Sequence, residues 1–407
     1  MKGLKSPRAM VVLLVIKRGI AKSILLLILC LFYFETGTAQ ALRDPLKWPF
    51  DKYSIWNVPV HNNATYVFAA IQPAERLEID EDIIIMTPTV ALMNVKENNT
   101  GWSAGGSARC TDLGPALFSA PIPQDFTYSN NTWIGNTPNA GASILLPNGK
   151  IKQTQPFAKC NRNYATSQYT WDENNCVLTG ECIIGAHGGS NLSAIGGTLR
   201  VGEFTSGKIK HVLKINLWGK ENFYKGKGGF RWPATTADAG FRDSSSSNYY
   251  GGSNSEMRIG VLLALCKEVN LTSVTNNSMG IESEPGIVLA RALQDYGAYA
   301  VDNTAWDTYA IITEQGPNGS VRNEFQNLYG YSINQGDFLS GNAWARDLKN
   351  IFSHLYVIAN NGPGNIGGGP TTDSNRRAAF ACDIGVEGTG NMCSLPVPGK
   401  NISHTGR

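Results

Sequence analysis

The stretch Gly196-Gly-Thr-Leu-Arg-Val-Gly-Glu-Phe-Thr-Ser-Gly-Lys-Ile-Lys-His-Val-Leu-Lys-Ile-Asn-Leu-Trp218 carries the clearest local pattern in the chain. Residues 197–204 and 208–218 read as two strands joined by Thr205, Ser206 and Gly207, a three-residue connection ending in glycine that suits a hairpin. From Ile209 onward the side chains alternate. Ile209, His211, Leu213, Ile215 and Leu217 fall on one side, and Lys210, Val212, Lys214, Asn216 and Trp218 on the other, the period of two expected of a strand. In the preceding segment Glu203 alternates with Leu199 and Val201. The hairpin therefore predicts a β core in which a carboxylate and an imidazole turn inward side by side. That is costly unless the two pair or serve a function.

On the N-terminal side, short β-branched and aromatic runs alternate with turn clusters: residues 53–57, 64–69 and 83–87. Residues 98–180 hold so many turn formers that they read as long ordered loops. On the C-terminal side, Ser283 to Gly297 is a punctuated helix, with Ser283 as N-cap, Pro285 in the first turn and Gly297 as terminator. Two strands are expected next, at 298–302 and 306–313, then a helix near 342–354 and a strand at 355–358. The fold class that follows is mainly β with helices, α+β. It has a β-sandwich or jelly-roll-like core and two or three helices packed in the C-terminal third.

Composition agrees. Of the 407 residues, 42% are hydrophobic, enough to fill a core, while only 16% are charged against the ~25% of ordinary soluble domains. Residues 2–22 carry Lys2, Lys5, Arg8, Lys17, Arg18 and Lys22 without an acid; an apolar run from Ile24 to Phe34 and the small residues up to Ala41 follow. That order is the one a secretory signal peptide uses, and the run is shorter than the ~20 apolar residues of a membrane span. The expected organisation is a signal peptide at 1–39 and one secreted β-rich domain at 40–407, located in the periplasm or outside the cell, with no membrane span after cleavage. Without residues 1–39 the chain keeps 29 Lys and Arg against 31 Asp and Glu. Such a balance lacks the basic footprint of nucleic-acid binding.

Seven cysteines follow the signal, none with Cys-x-x-Cys spacing. Cys176 with Cys182 and Cys382 with Cys393 are each suited to close a short ring in an oxidising compartment. Cys110 with Cys160 remains by elimination, and Cys266, inside an apolar run, reads as a buried free thiol.

Chemistry is expected from four side chains. Glu203 and His211 come from the inward-facing pair. Asp238 comes from the block Gly229-Phe-Arg-Trp-Pro-Ala-Thr-Thr-Ala-Asp238, and Asp302 from the end of a short strand. Asp295 and Asp307 flank that strand. Arg231 and Trp232 supply a planar cation and a flat apolar plate of the kind that binds sugars, with a structural Arg231–Asp238 ion pair as the other use of that block. His187 in Gly185-Ala-His-Gly-Gly-Ser190, Lys214, and the tyrosines Tyr249 and Tyr250 complete the expected substrate-binding set. No nucleophile elbow, P-loop, zinc signature or EF-hand loop is present. No cofactor or catalytic metal is expected, and a structural calcium held by scattered oxygens stays compatible with the sequence.

The blocks at Gly202–Lys214, Arg231–Asp238 and Leu289–Asp302 resemble those of a group of secreted bacterial proteins carrying "Glu…His-Ala-Leu", "Trp-Pro-Ala" and "Tyr-Gly…Asp-Asn" blocks. The resemblance spans roughly residues 185–360, and Val212 stands where that group is expected to have alanine. The signal ending Thr38-Ala39-Gln40 is similar to those of Bacteroidota. The resemblance implies secretion and adds weight to Glu203, His211, Asp238 and Asp302; it brings no activity with it.

Three functions are compatible with these features. The first is a glycoside hydrolase acting on a polysaccharide or oligosaccharide. It needs two carboxyls ~5–5.5 Å apart for retention or ~6.5–9.5 Å for inversion, here Glu203 and Asp238 with Asp302 as substitute. The second is a polysaccharide lyase using His211 or His187 and a tyrosine such as Tyr249, with Arg231 or Lys214 neutralising a uronate. The third is a non-catalytic glycan-binding or adhesion protein. The sequence leaves the oligomeric state open.

Overall fold

Leu213–Leu217 lies at the centre of an eleven-stranded mixed sheet. The computed structural model describes residues 44–103, 109–127, 137, 139–336 and 341–380; the expected signal peptide and the Cys382–Cys393 pair lie outside them. Across the sheet the strands run Tyr66–Phe68, Tyr356–Ile358, Leu262–Ala264, Ala298–Asn303, Leu213–Leu217, Tyr309–Gly316, Leu77–Ile85, Ala142–Leu145, Ile151–Gln155 and Tyr169–Thr170, with Gly319–Ser320 added to Tyr309–Gly316. Three neighbouring pairs are parallel: Leu213–Leu217 with Ala298–Asn303, Tyr309–Gly316 with Leu77–Ile85, and Leu77–Ile85 with Ala142–Leu145.

Both faces are covered. Leu77, Leu213, Ile215, Leu217, Ala298, Ala300 and Ile311 pack on one side beneath the helices Glu284–Asp295, Val321–Tyr329 and Ala343–Ser353. On that same side, Ile83, Ile85, Ala142 and Ile144 meet Met93, Val95, Ala120 and Ala165 of a four-stranded sheet, which makes a sandwich-like layer. The opposite face carries Ile84, Val212, Leu262, Tyr299, Val301 and Ile312, roofed by Phe50, Ile55, Trp56 and Val58. The fold is thus mainly β with helices, α+β, and its three longer helices lie in the C-terminal third.

The helix after Ser283 forms as its sequence dictates: the Ser283 side chain accepts from Gly286 N, and Gly297 leaves the helix at φ +78°, a conformation glycine adopts without strain. Ala343–Ser353 is capped in the same way by Asn342.

Four expectations need correction. The hairpin does not form. Gly202 (φ +99°) and Gly207 (φ +65°) bracket a helical turn at Glu203–Ser206, and only Leu199 of the expected first strand bridges to the sheet, at Thr313. The second strand begins at Leu213, so His211 precedes it. Glycines at both ends and a carboxylate accepting from the Arg200 backbone N–H favour a turn over extended pairing. Residues 53–57 form turns, and residues 98–180 contain several strands where loops were expected. Cys110–Cys160 and Cys176–Cys182 are bonded, and Cys266 is free but only half-buried, its thiol pushed up to about 11 by burial.

Candidate functional site

The sheet face under the Trp56 roof carries charge at its centre. In Leu77–Ile85 the side chains of Leu77 and Ile79 pack toward the helices, which turns Asp80 and Asp82 to the opposite face. Lys214 and Asn216 share that face. Asp302 reaches it through an irregularity. The parallel register runs Ile215↔Ala300 and then Asn216↔Asp302, skipping one residue. Strict alternation would have left Asp302 with Ala298 and Ala300 in the helix-side core; the extra residue re-aims it.

At the floor, Lys214 Nζ donates to Asp82 Oδ2 and to Ser193 O, both at 2.7 Å, and Thr198 Oγ1 donates to the same Asp82 oxygen at 2.8 Å. His187 Nδ1 lies 3.4 Å from Asp82 Oδ1. Burial alone would raise the Asp82 carboxyl, but Lys214 and His187 more than offset it and hold it below the ordinary carboxylate range. An ionised Asp82 fixes Nδ1 of His187 as a donor. The Nε2 of the same ring is buried and has no partner among the described residues, as is also true of Asn216 Oδ1.

His187 ends the strand Ile184–His187, and Gln153 holds the strand by accepting from Ala186 N and Ala194 N. The two glycines after it are required by space. A Cβ on Gly188 would stand 2.8 Å from Asp302 Oδ2. One on Gly189 (φ +65°) would stand 2.4 Å from Asp302 Oδ1 and 3.2 Å from Asp238 Oδ2.

At the rim, Asp80, Asp238 and Asp302 are partly exposed. Asn216 Nδ2 donates to Asp80 Oδ2 at 3.0 Å. The buried Tyr250 hydroxyl donates to Asp238 Oδ2 in a short hydrogen bond, and the Asp238 and Asp302 carboxyls hydrogen-bond each other. All three carboxyls are raised. For Asp302 the cause is burial, then the charges of Asp238 and Asp80, and its pKa stands well above the ordinary carboxylate value. For Asp238 and Asp80 burial is the first cause, opposed by Tyr250 and by His187 respectively. Two carboxyls in contact share one proton, so the pair offers an acid and a base at adjoining oxygens.

The sequence-expected residues divide. Asp238, Asp302, His187, Tyr250 and Lys214 come together here, Lys214 as a fully buried partner of Asp82 rather than a ligand-facing cation. Glu203 and His211 do meet, 3.0 Å apart, but elsewhere. Glu203 is fully buried and also accepts from Trp48 Nε1 (2.9 Å) and Arg200 N (2.8 Å), and it shares no partner with Asp238. A small cleft lined by Lys47, Trp48, Trp56, Thr198, Arg200 and His211 lies beside this pair. Arg200 there is engaged by Glu314, and His211 by Glu203 and Val212 O. Arg231 bonds Glu256 at 3.0 Å, not Asp238. Trp232 packs against the core beneath the roof, and Tyr249 accepts from Lys225. Asp295, raised to about 6 by burial, and Asp307 stand apart from the cluster.

Sequence reading missed Asp80, Asp82 and Asn216. A signal was present: Glu78, Asp80 and Asp82 alternate with Leu77, Ile79 and Glu81 in a β-rich run, placing three acids on one strand face. Among the described residues no three His, Cys, Asp or Glu side chains converge as a metal-holding group.

No family model, no curated protein and no solved structure matches this chain.

Proposed function

We propose that the chain is a secreted carbohydrate-active enzyme, a glycoside hydrolase that cleaves a polysaccharide by carboxyl acid/base chemistry centred on Asp302. The observation that carries this reading is the contact of Asp302 with Asp238 on a partly open face that also holds Asp80. Asp302 keeps its proton and serves as general acid toward the leaving oxygen. Asp80 acts on Asp302 by charge, and in this reading it is the second carboxylate, serving as base or nucleophile. Asp238, steadied by Tyr250, keeps the Asp302 proton in place. Glu203, the acid first favoured by sequence, is assigned to holding the fold.

A lyase reading is less well supported, because a face with several carboxyls and a committed Lys214 repels a uronate. Secretion is supported by the residue order at 1–39 and by two disulfides, which persist in oxidising compartments. Among the described residues no helix is long and apolar enough to cross a membrane.

The test is incubation with a panel of plant, algal and bacterial polysaccharides. Release of reducing ends without the ultraviolet absorbance of unsaturated uronates supports hydrolysis, and that absorbance would instead mean elimination. Binding without any cleavage would leave an adhesion role and refute the enzyme.

A further inference from the structure

The valences left open on this face are acceptors. The side-chain donors Tyr250, Lys214, Thr198 and Asn216 Nδ2 each already have an acceptor. What remains is the rim of Asp80, Asp238 and Asp302 together with a buried, unpartnered amide oxygen, Asn216 Oδ1. Asn216 is only 4% exposed. An acceptor so deeply buried without a partner carries an uncompensated desolvation cost, and a ligand that donates to it recovers that loss. Asn216 is tied to Asp80, so this oxygen belongs to the carboxyl cluster. The missing partner is therefore a donor, and the uncompensated carboxyls favour one that is cationic. These carboxyls do not converge as a coordination sphere, so the cation that fits is spread over a larger molecule.

We propose that this face is a sugar subsite selective for a ring carrying a free amine. The ammonium lies against Asp80 and Asp238, and a ring hydroxyl donates to Asn216 Oδ1. The proposal rests on the carbohydrate reading of the same site and names its substrate class.

The experiment is calorimetric titration of the full chain with three oligosaccharides of equal length, built from glucosamine, N-acetylglucosamine and galacturonate. The glucosamine oligomer should bind at least about tenfold more tightly than the N-acetylated one, as a charge-assisted bond requires, and the oligouronate should not bind. In Asp80→Asn that preference should fall to about twofold or less, while Asn216→Leu should weaken both amine and N-acetyl oligomers alike. Equal affinities, tighter binding of the oligouronate, absence of binding to all three, or binding of calcium that displaces the sugar would each overturn the proposal. The wild-type comparison decides the matter even where a variant fails to fold. Cleavage of neutral polysaccharides without amine preference defeats the subsite and spares the hydrolase; amine-selective binding without any cleavage does the reverse.

Discussion

His211 Nε2 stands 3.0 Å from Glu203 Oε2, while Nδ1 of the same ring stands 2.8 Å from the carbonyl of Val212. Both neighbours are acceptors, so both ring nitrogens carry protons, and Glu203, which accepts from Trp48 and Arg200 as well, is ionised. The result is a buried imidazolium–carboxylate pair joining the helical turn at Glu203–Ser206 to the entry of the central strand. Every acceptor position in reach is filled, as suits an element of the fold.

Replacing Glu203 with glutamine should therefore unfold rather than merely inactivate. Breaking one partner of a buried pair costs about 3–5 kcal/mol, and chemical denaturation of Glu203→Gln should show a loss of that size. Whatever fraction folds should keep wild-type turnover per folded molecule. A variant as stable as wild type but catalytically dead would return Glu203 to the active site.

The acid side of the stability profile follows from the same pair and from Asp82. Both carboxyls sit below their ordinary values: burial, which raises them, is outweighed by His211 for Glu203 and by Lys214 for Asp82. A depressed carboxyl contributes stability above its unfolded value and loses it as pH falls through its folded value. Urea unfolding should therefore show stability declining below about pH 4. Asp302 is raised, so its contribution has the opposite sign, present at low pH and lost as pH rises through its folded value. Asp82→Asn, which strands Lys214, should flatten the acid decline while lowering stability near neutrality. An unchanged acid limb would contradict the assignment.

How far the sequence carried is clearest at particular residues. The helices after Ser283 and Asn342 were legible because cap, apolar stripe and terminator agree locally. The meeting of Glu203 with His211 was legible too, although on the wrong element. Period two predicts a strand for residues 197–204, whereas Gly202 and Gly207 at positive φ and the carboxylate–backbone bond at Arg200 favour a turn. Asp302 was picked out by its place at a strand end, yet its facing depends on a register shift that no local pattern encodes. Arg231 was paired with Asp238 by nearness in sequence and finds Glu256 instead, because partners in a sheet protein are set by long-range topology.

The two disulfides should differ in worth. Cys110 and Cys160 are 50 residues apart and Cys176 and Cys182 only six. Loop-closure entropy then assigns about 4 kcal/mol to the first and about 2 kcal/mol to the second. Thermal unfolding of paired Cys→Ser variants should reproduce that order. The larger loss falls on the four-stranded sheet, where Cys160 adjoins Ala158–Lys159. Equal losses would contradict the entropic account.

The site's own test is a pH profile. Asp302 acts as acid only while protonated, so activity should fall on the alkaline side as pH rises through its elevated value. The acid side reports carboxylates that must be ionised, Asp80 and the Asp238 partner of the shared proton. Tyr250 donates to Asp238 and thereby favours its ionised form. Removing that hydroxyl in Tyr250→Phe should raise the Asp238 value and move the acid limb upward, narrowing the active range with little change at its maximum. Asp302→Asn should lose turnover by about 10²–10⁴-fold at every pH, the usual contribution of a positioned acid, and should abolish the alkaline limb. Reducing-end assays on a cleaved polysaccharide, run across pH for the three proteins, measure all of this at once. If Tyr250→Phe leaves both limbs where they were, the tyrosine does not tune the pair. If Asp302→Asn keeps full activity, the carboxyl contact is not the catalytic centre.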